Sequence, residues 1–449
     1  MRPTPSIGAP ARLPEIELHS FALGNRMPVH VIERRDLPIV DVDIVFQPGA
    51  VVDHGATAGR VDMMCELLDE GTRSRTAFEI AEQIDHLGAY LDVHATHDAI
   101  TISCHVQSAH LEKALAVVSD VLLDPLFEAA EFKRKKDEHI RALRQDRDEA
   151  DIVASKALAA GVFGAEHPYG SPLGGTVATL ENLGVDEVRA VYDSNMTARN
   201  GFVVAVGDIR GAELAAVLER GIGSLKGGSE LIAPVMPPAP ENRRRVILVD
   251  KPGAAQAELR VGHVAPDRGT ADYFPMVVLN AILGGSFTSR LNTILREQMG
   301  VTYGASSRFR LRKHGGIFSA GAAVFTEAAA RSAQVVVEEM TRVIDSGVKA
   351  DEMQRAQNYI ALGLPRSFET TQELGAHIRE QIVHSLPPDY WAHYVDRVLS
   401  VTAVDVAEVA ARRLLPEECT IVVAADANEV SDALEKANLG EVVITDVAP

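Results

Sequence analysis

Cysteine is scarce in this chain, and what little there is lies scattered. Cys65, Cys104 and Cys419 are too few and too far apart for a disulfide framework or a CxxC metal knuckle, so buried or free thiols are expected. No apolar run approaches the ~20 residues that a membrane-spanning helix needs. Positive charge is also short: 44 Lys and Arg face 63 Asp and Glu, a formal net charge of -19. Such a surface repels nucleic-acid phosphates and anionic lipid, which sets both aside as partners. The opening stretch MRPTPSIGAPARLPEIELHS has no apolar core of the kind signal peptides carry. That leaves the compartment open between the cytoplasm and, for a mature chain, the periplasm. No GxSxG elbow is present to suggest serine chemistry. The remaining composition, 46% hydrophobic and 24% charged over 449 residues, is that of a globular protein with length for two packed cores.

What is there is written twice. A Pro-rich, aperiodic stretch at 226–245, KGGSELIAPVMPPAPENRRR, reads as a linker between a first domain at 1–225 and a second at 246–449. The first begins with the strand-like VDVDIVF ending at Phe46, followed by a helix with a Gly71–Thr72 stop. A second helix starts near Thr76. The strands LDVHAT and AITISCHV and the helices LEKALAVVSDVLLDP and AAEFKRKKDEHIRALRQDRDEAD complete the unit. The second repeats that order: AQAELRVGHV, a long helical run at 271–300, the strands YGASSRFRL and GGIFSAGAAV, and two further helices. HLGAYL and QMGVTY hold the same place in the two copies. The pattern predicts a duplicated α+β unit, each copy an antiparallel sheet with one face covered by helices.

The stretch GRVDMMCELLDEGT reads as a helix ended by glycine. With HPYGSPLGGT from His167, YDSNMTARNGFVVAVGD ending at Asp208, and LGGSFTSRLNTILREQMGVTYG ending at Gly304, it carries a resemblance over nearly the whole chain. The chain resembles the pitrilysin/insulinase family of zinc metallopeptidases, the inverzincins, and in particular their short subunits of two repeats, with the LuxS/processing-peptidase type of fold. Active members of that family carry H-x-x-E-H on the first helix. Two histidines four residues apart share a helix face and grip Zn²⁺, and the glutamate serves as general base. Aligned on Gly71 and Thr72, the histidine positions here hold Asp62 and Glu66, and the base position holds Cys65. The family's distal glutamate falls near Arg141, Ala142 and Leu143, none a carboxylate. No imidazole lies on the first helix and no third ligand is evident, so no zinc is expected in this chain. Arg60 is the candidate to offset the mild repulsion between Asp62 and Glu66, about 0.2–0.5 kcal/mol for such a pair. The run KRKKDEH from Lys133 reads as a solvated helix face, and His94, His97 and His105 as structural histidines.

The second copy keeps what the first has lost. LREQMGVTYG matches the family pattern R-E-x-x-G-x-x-Y at Arg296, Glu297, Gly300 and Tyr303. Arg296 is expected near the end of a helix and Tyr303 at the start of a strand. In the family this arginine and tyrosine reach across to the zinc site, where the tyrosine stabilises the oxyanion and the arginine holds the substrate. The resemblance therefore implies a non-catalytic subunit, inactive alone. It would lend Arg296 and Tyr303 in trans to a homologous partner subunit that bears H-x-x-E-H and zinc, acting on peptides or unfolded protein. The chain lacks the longer glycine-rich insertion of mitochondrial processing-peptidase α-subunits near LGGSFTSRL, which favours a bacterial-type role. Two alternatives stand beside it: a scaffold or peptide-binding core subunit without activity, and an atypical metallohydrolase using Asp62 and Glu66.

Overall fold

The structure is a computed structural model that describes residues 8, 13, 16–229, 235–240 and 243–446. Most of the opening stretch, and residues 230–234 and 241–242 of the Pro-rich stretch, lie outside the described residues. Two six-stranded sheets form. The first contains β1 (His19–Ala22), β2 (Pro28–Glu33), β3 (Ile39–Phe46), β4 (Tyr90–Ala95), β5 (Ile100–Gln107) and β6 (Gly201–Gly207), in the order β1-β2-β6-β3-β5-β4. The second contains β7 (Arg245–Asp250), β8 (Ala257–Ala265), β9 (Ser306–Arg312), β10 (Gly315–Val324), β11 (Thr420–Ala425) and β12 (Glu441–Asp446), in the order β12-β7-β11-β8-β10-β9. The orders superimpose with β3 on β8, β5 on β10 and the edge strand β4 on β9, as a duplicated unit requires. Each sheet is antiparallel through those strands and parallel where β2 meets β6 and where β7 meets β11 and β12.

The helices that matter for the site come early: α1 (Arg60–Leu67), α2 (Ala77–His86), α3 (Leu111–Leu123), α4 (Ala129–Gln145) and α5 (Ala150–Phe163). Thr76 caps α2 in a reciprocal box. The Glu79 amide donates to Thr76 Oγ1 at 3.3 Å, and the Thr76 amide donates to Glu79 Oε2 at 2.8 Å. β6 (GFVVAVG) and β11 (TIVVAA) are buried along their whole length. Runs of that kind mark strands covered on both faces.

The second covering layer comes from the opposite half of the chain. α5 crosses to the second sheet, where Val153, Leu158, Val162 and Phe163 share a core with Val249, Ile317 and Val422. Gly161 permits the approach, since a Cβ there would lie 2.8 Å from Thr420 Cγ2. Reciprocally, the helix Thr371–Val383 lies on β3 and β6, with Leu374 and Ile378 in one core with Val204 and Val206. A helix from each half thus covers part of the other half's sheet.

Two sequence expectations change here. The helical run at 271–300 is interrupted: it leaves Tyr273–Asn280 through a widened turn at Ala281–Gly285, and Ser286 is extended. Ser286 Oγ donates to the Ala281 carbonyl at 2.9 Å, so a side chain satisfies a backbone acceptor where the run breaks. Tyr303, expected at the start of a strand, stands three residues before β9. The Gly304 amide donates to Thr302 Oγ1 at 3.1 Å and the Ala305 amide to Asn292 Oδ1 at 3.2 Å. These bonds tie the segment to the preceding helix and delay sheet pairing until Ser306.

Candidate functional site

The first helix is fastened at its start by a carboxylate. Asp53 Oδ2 accepts from the Val61 amide at 2.6 Å, and Asp53 Oδ1 accepts from Arg60 Nε at 3.0 Å. Arg60 is therefore spent on Asp53, and the expectation that it offsets Asp62 and Glu66 is corrected. A different residue does so. His139, from α4, brings Nδ1 within 2.7 Å of Glu66 Oε1 and Nε2 within 3.9 Å of Asp62 Oδ2. The expectation that no third group joins the two acids is likewise corrected. Among the described residues, Asp62, Glu66 and His139 are the one set of three potential ligands whose atoms converge, all within 4.8 Å. Gly174 closes the group from the side, where a Cβ would lie 2.9 Å from His139 Nε2 and 3.2 Å from Asp62 Oδ2.

The electrostatics are those of an internal ion cluster. Burial opposes a charge on the His139 ring, yet the Glu66 hydrogen bond and the two carboxylates outweigh it and raise its pKa. Burial pushes the Asp62 carboxyl up to about 6; the His139 charge opposes that rise, while Glu66 and Asp53 add to it. Cys65 is buried, and burial together with Asp62 and Glu66 holds its thiol well above the ordinary range. The set does not fit a hydrolytic zinc centre. Each ring nitrogen of His139 faces a different carboxylate, so the imidazole bridges the two acids. An un-ionised, enclosed thiol is no base for a metal-bound water.

His139 was legible in principle. It closes the KRKKDEH run and follows Phe132, a buried residue of α4, by seven residues, two helical turns on the same face. Lys133 and Arg134 of the run are exposed, as a solvated face implies, and pair with Asp137 and Glu131, whereas Lys135 is largely covered and pairs with Glu70. The three histidines of the first sheet's edge, His94, His97 and His105, make contacts within the fold. His94 Nδ1 meets Asp92 at 2.6 Å and His105 Nδ1 meets Asp41 at 2.7 Å. His97 packs edge-on against Tyr169, and burial lowers its pKa to about 3.

Arg296 and Tyr303 are not brought together by any hydrogen bond. Arg296 lies in the last turn of its helix, as expected, on a wide stretch where the Met299 amide reaches back five residues to the Ile294 carbonyl at 2.9 Å. Wide turns of this kind often accompany functional sites. Its guanidinium rests 4.4 Å from the centre of the exposed Phe287 ring. Gly300 follows with φ +66°, and the Val301 amide donates to the Leu295 carbonyl at 3.1 Å, a glycine helix stop. Tyr303 is 91% exposed.

Residues 30–177 match the insulinase family, peptidase family M16, and residues 182–360 match the peptidase M16 inactive domain. An uncharacterized zinc protease of Mycobacterium tuberculosis is 27% identical over 81% of this chain and 83% of its own length. A protein of Helicobacter pylori named a non-peptidase homolog is 20% identical over 77% of this chain and 79% of its own. Among solved structures, the peptidase M16 inactive domain from Pseudomonas fluorescens superimposes with a TM-score of 0.84 at 22% identity, covering 91% of this chain and 98% of that one.

Proposed function

Because this chain belongs to the M16 (insulinase) peptidase family, we propose that it is a pseudoenzyme subunit. It binds no catalytic zinc of its own and lends Arg296 and Tyr303 to a homologous, zinc-bearing partner that cleaves peptides. The observation that carries this reading is the contrast between the two halves of the site. Where the family grips zinc, His139 bridges Asp62 and Glu66 beside a buried thiol, while Tyr303 stands 91% exposed. A tyrosine hydroxyl in that position is free to donate to an oxyanion on another chain. The test is to purify the chain from its source with its associated subunits and assay peptide cleavage. The chain alone is inactive, and Tyr303→Phe lowers kcat of the assembled enzyme by about a hundredfold, the scale of one oxyanion donor. Unchanged activity in that variant rules the catalytic role out.

Two further readings each have an observation behind them. A relative named a non-peptidase homolog favours a scaffold or peptide-holding role, in which no partner confers activity. The convergence of ligand atoms within 4.8 Å is the observation behind an atypical hydrolase using Asp62 and Glu66, with His139 as a third ligand to a cation other than catalytic zinc. Elemental analysis separates the latter: stoichiometric metal that disappears in Glu66→Ala supports it, and a metal-free folded chain discards it.

A further inference from the structure

The open face of the second sheet carries a row of arginines. β9 reads SSRFRLR, and its alternation places Arg308, Arg310 and Arg312 on one side. With Arg260 of β8 they line a cleft of about 400 Å³ roofed by Ser155, Leu158 and Ala159 of α5. The middle strand contributes Ser319 and Gly321 to the floor, so long side chains can lie across it. A Cβ at Gly321 would come 2.8 Å from the Arg260 guanidinium, which therefore occupies space that only glycine leaves.

The cleft's own carboxylate is already engaged. Glu258 pairs with Arg260, which also donates to the Leu259 carbonyl at 2.9 Å. Of the residues that line the cleft, four guanidiniums less one carboxylate leave three positive charges, and the nearby Asp98 carboxylate offsets part of the one on Arg312. Among the described residues, Arg308, Arg310 and Arg312 make no ion pair. Arg312 lies 4.5 Å from the centre of the Tyr169 ring, and its Nη1 is buried without a hydrogen-bond partner. A charged donor left in that state is uncommon in a folded chain and leaves the Arg312 guanidinium only partly satisfied. It stands in a protein whose formal net charge is -19.

We propose that this cleft binds acidic peptide in extended form, with carboxylates at alternate positions. Side chains two apart on a strand lie roughly 7 Å from one another, the spacing of both the arginine row and the alternate side chains of an extended ligand. Guanidinium meets carboxylate with two parallel hydrogen bonds, a geometry that lysine does not offer. The surrounding negative surface is screened beyond about 8 Å at physiological salt, whereas contacts inside the cleft are not. Gly304 lines the cleft, so the exposed Tyr303 stands beside it. The inference is independent of any zinc-bearing partner.

The test is fluorescence anisotropy on the full chain with a labelled, end-blocked octapeptide alternating Glu and Ser, and its Gln-for-Glu analogue. The acidic peptide binds, and the Gln analogue binds at least about tenfold more weakly, as loss of a charge-assisted pair implies. The Arg308→Gln, Arg310→Gln double variant weakens the acidic peptide by about tenfold or more, and Arg310→Lys recovers only part of the loss. Absence of binding, equal affinity for the two peptides, or equal affinity of the double variant overturns the proposal. So does tripolyphosphate that outcompetes the peptide, which would make the row a phosphate site.

Discussion

The same place in the two sheets carries opposite charge. On the first sheet, beneath the helix Thr371–Val383, a cleft of about 320 Å³ is lined by Asp41, Asp43 and Asp92. On the second, beneath α5, the equivalent cleft is lined by arginines. In the acidic cleft each of these aspartates has a hydrogen-bond partner within the fold: His105 meets Asp41 at 2.7 Å, His94 meets Asp92 at 2.6 Å, and Asp43 takes Ser103 Oγ at 2.6 Å and Arg379 at 2.5 Å. Among the described residues, three charges of the basic cleft are without an ion pair. Duplication supplied one architecture, and the two copies diverged in how charge is held. Paired charge contributes to the fold, whereas unpaired charge awaits a ligand.

If that contrast is right, breaking a pair in the acidic cleft costs stability. Among the described residues, Arg379→Met leaves Asp43, a largely buried carboxylate, with Ser103 as its one side-chain donor. Loss of about 2 kcal/mol is expected, read as a lower urea midpoint with an unchanged slope. Its nearest neighbour in kind is the α1–α4 cluster, also in the first half. His139→Leu leaves Asp62 and Glu66 facing one another and costs about 1–2 kcal/mol at pH 6. The sign with pH follows from the raised His139 pKa. A raised imidazole contributes its full stabilisation below about 6.5 and loses it as pH rises through the folded pKa. Asp62, raised to about 6, also favours the fold at the acid side, because its ionisation costs more in the folded state. The gap between wild type and His139→Leu therefore narrows between pH 6 and pH 8.5, measured by urea midpoints in matched buffers. A gap that stays constant from pH 6 to pH 8.5 would mean that His139 acts by packing alone.

How much of this was legible in the sequence depends on the range of the interaction. The duplicated order of strands and helices, the Thr76 start of α2 and the glycine stop at Gly300 are local signals, and all were readable. That the five-residue frame at Asp62, Cys65 and Glu66 departs from H-x-x-E-H was readable as well. What fills it was not, because His139 reaches across from a helix 73 residues along the chain from Glu66. Its charged neighbours gave it the look of a solvated face. The exchange of α5 and the helix Thr371–Val383 between sheets is tertiary and leaves only continuous apolar strands as a trace. The strand-like run YGASSRFRL begins at Tyr303, but Asn292 and Thr302 hold its first residues off the sheet. The arginine row lay in plain view as a period-two pattern in SSRFRLR. It acquires meaning only once the floor and roof of the cleft are known.

The smallest predicted effect is the sharpest test of the comparison, because it has the opposite sign. Burial lowers the pKa of Arg310 from its usual value, and Arg308 lowers it further, so its charge is held at a cost in the folded chain. Arg310→Met keeps an unbranched stem over the same surface and removes the charge. The fold should gain a few tenths of a kcal/mol, the scale of like-charge repulsion near a solvated surface. The gain should be larger in low salt than at 0.5 M, where neighbouring guanidiniums are already screened from one another. Chemical denaturation by urea, which adds no ionic strength of its own, can resolve that trend across a salt series. A loss of stability instead would mean that Arg310 has a structural partner, and the two clefts would then differ only in sign.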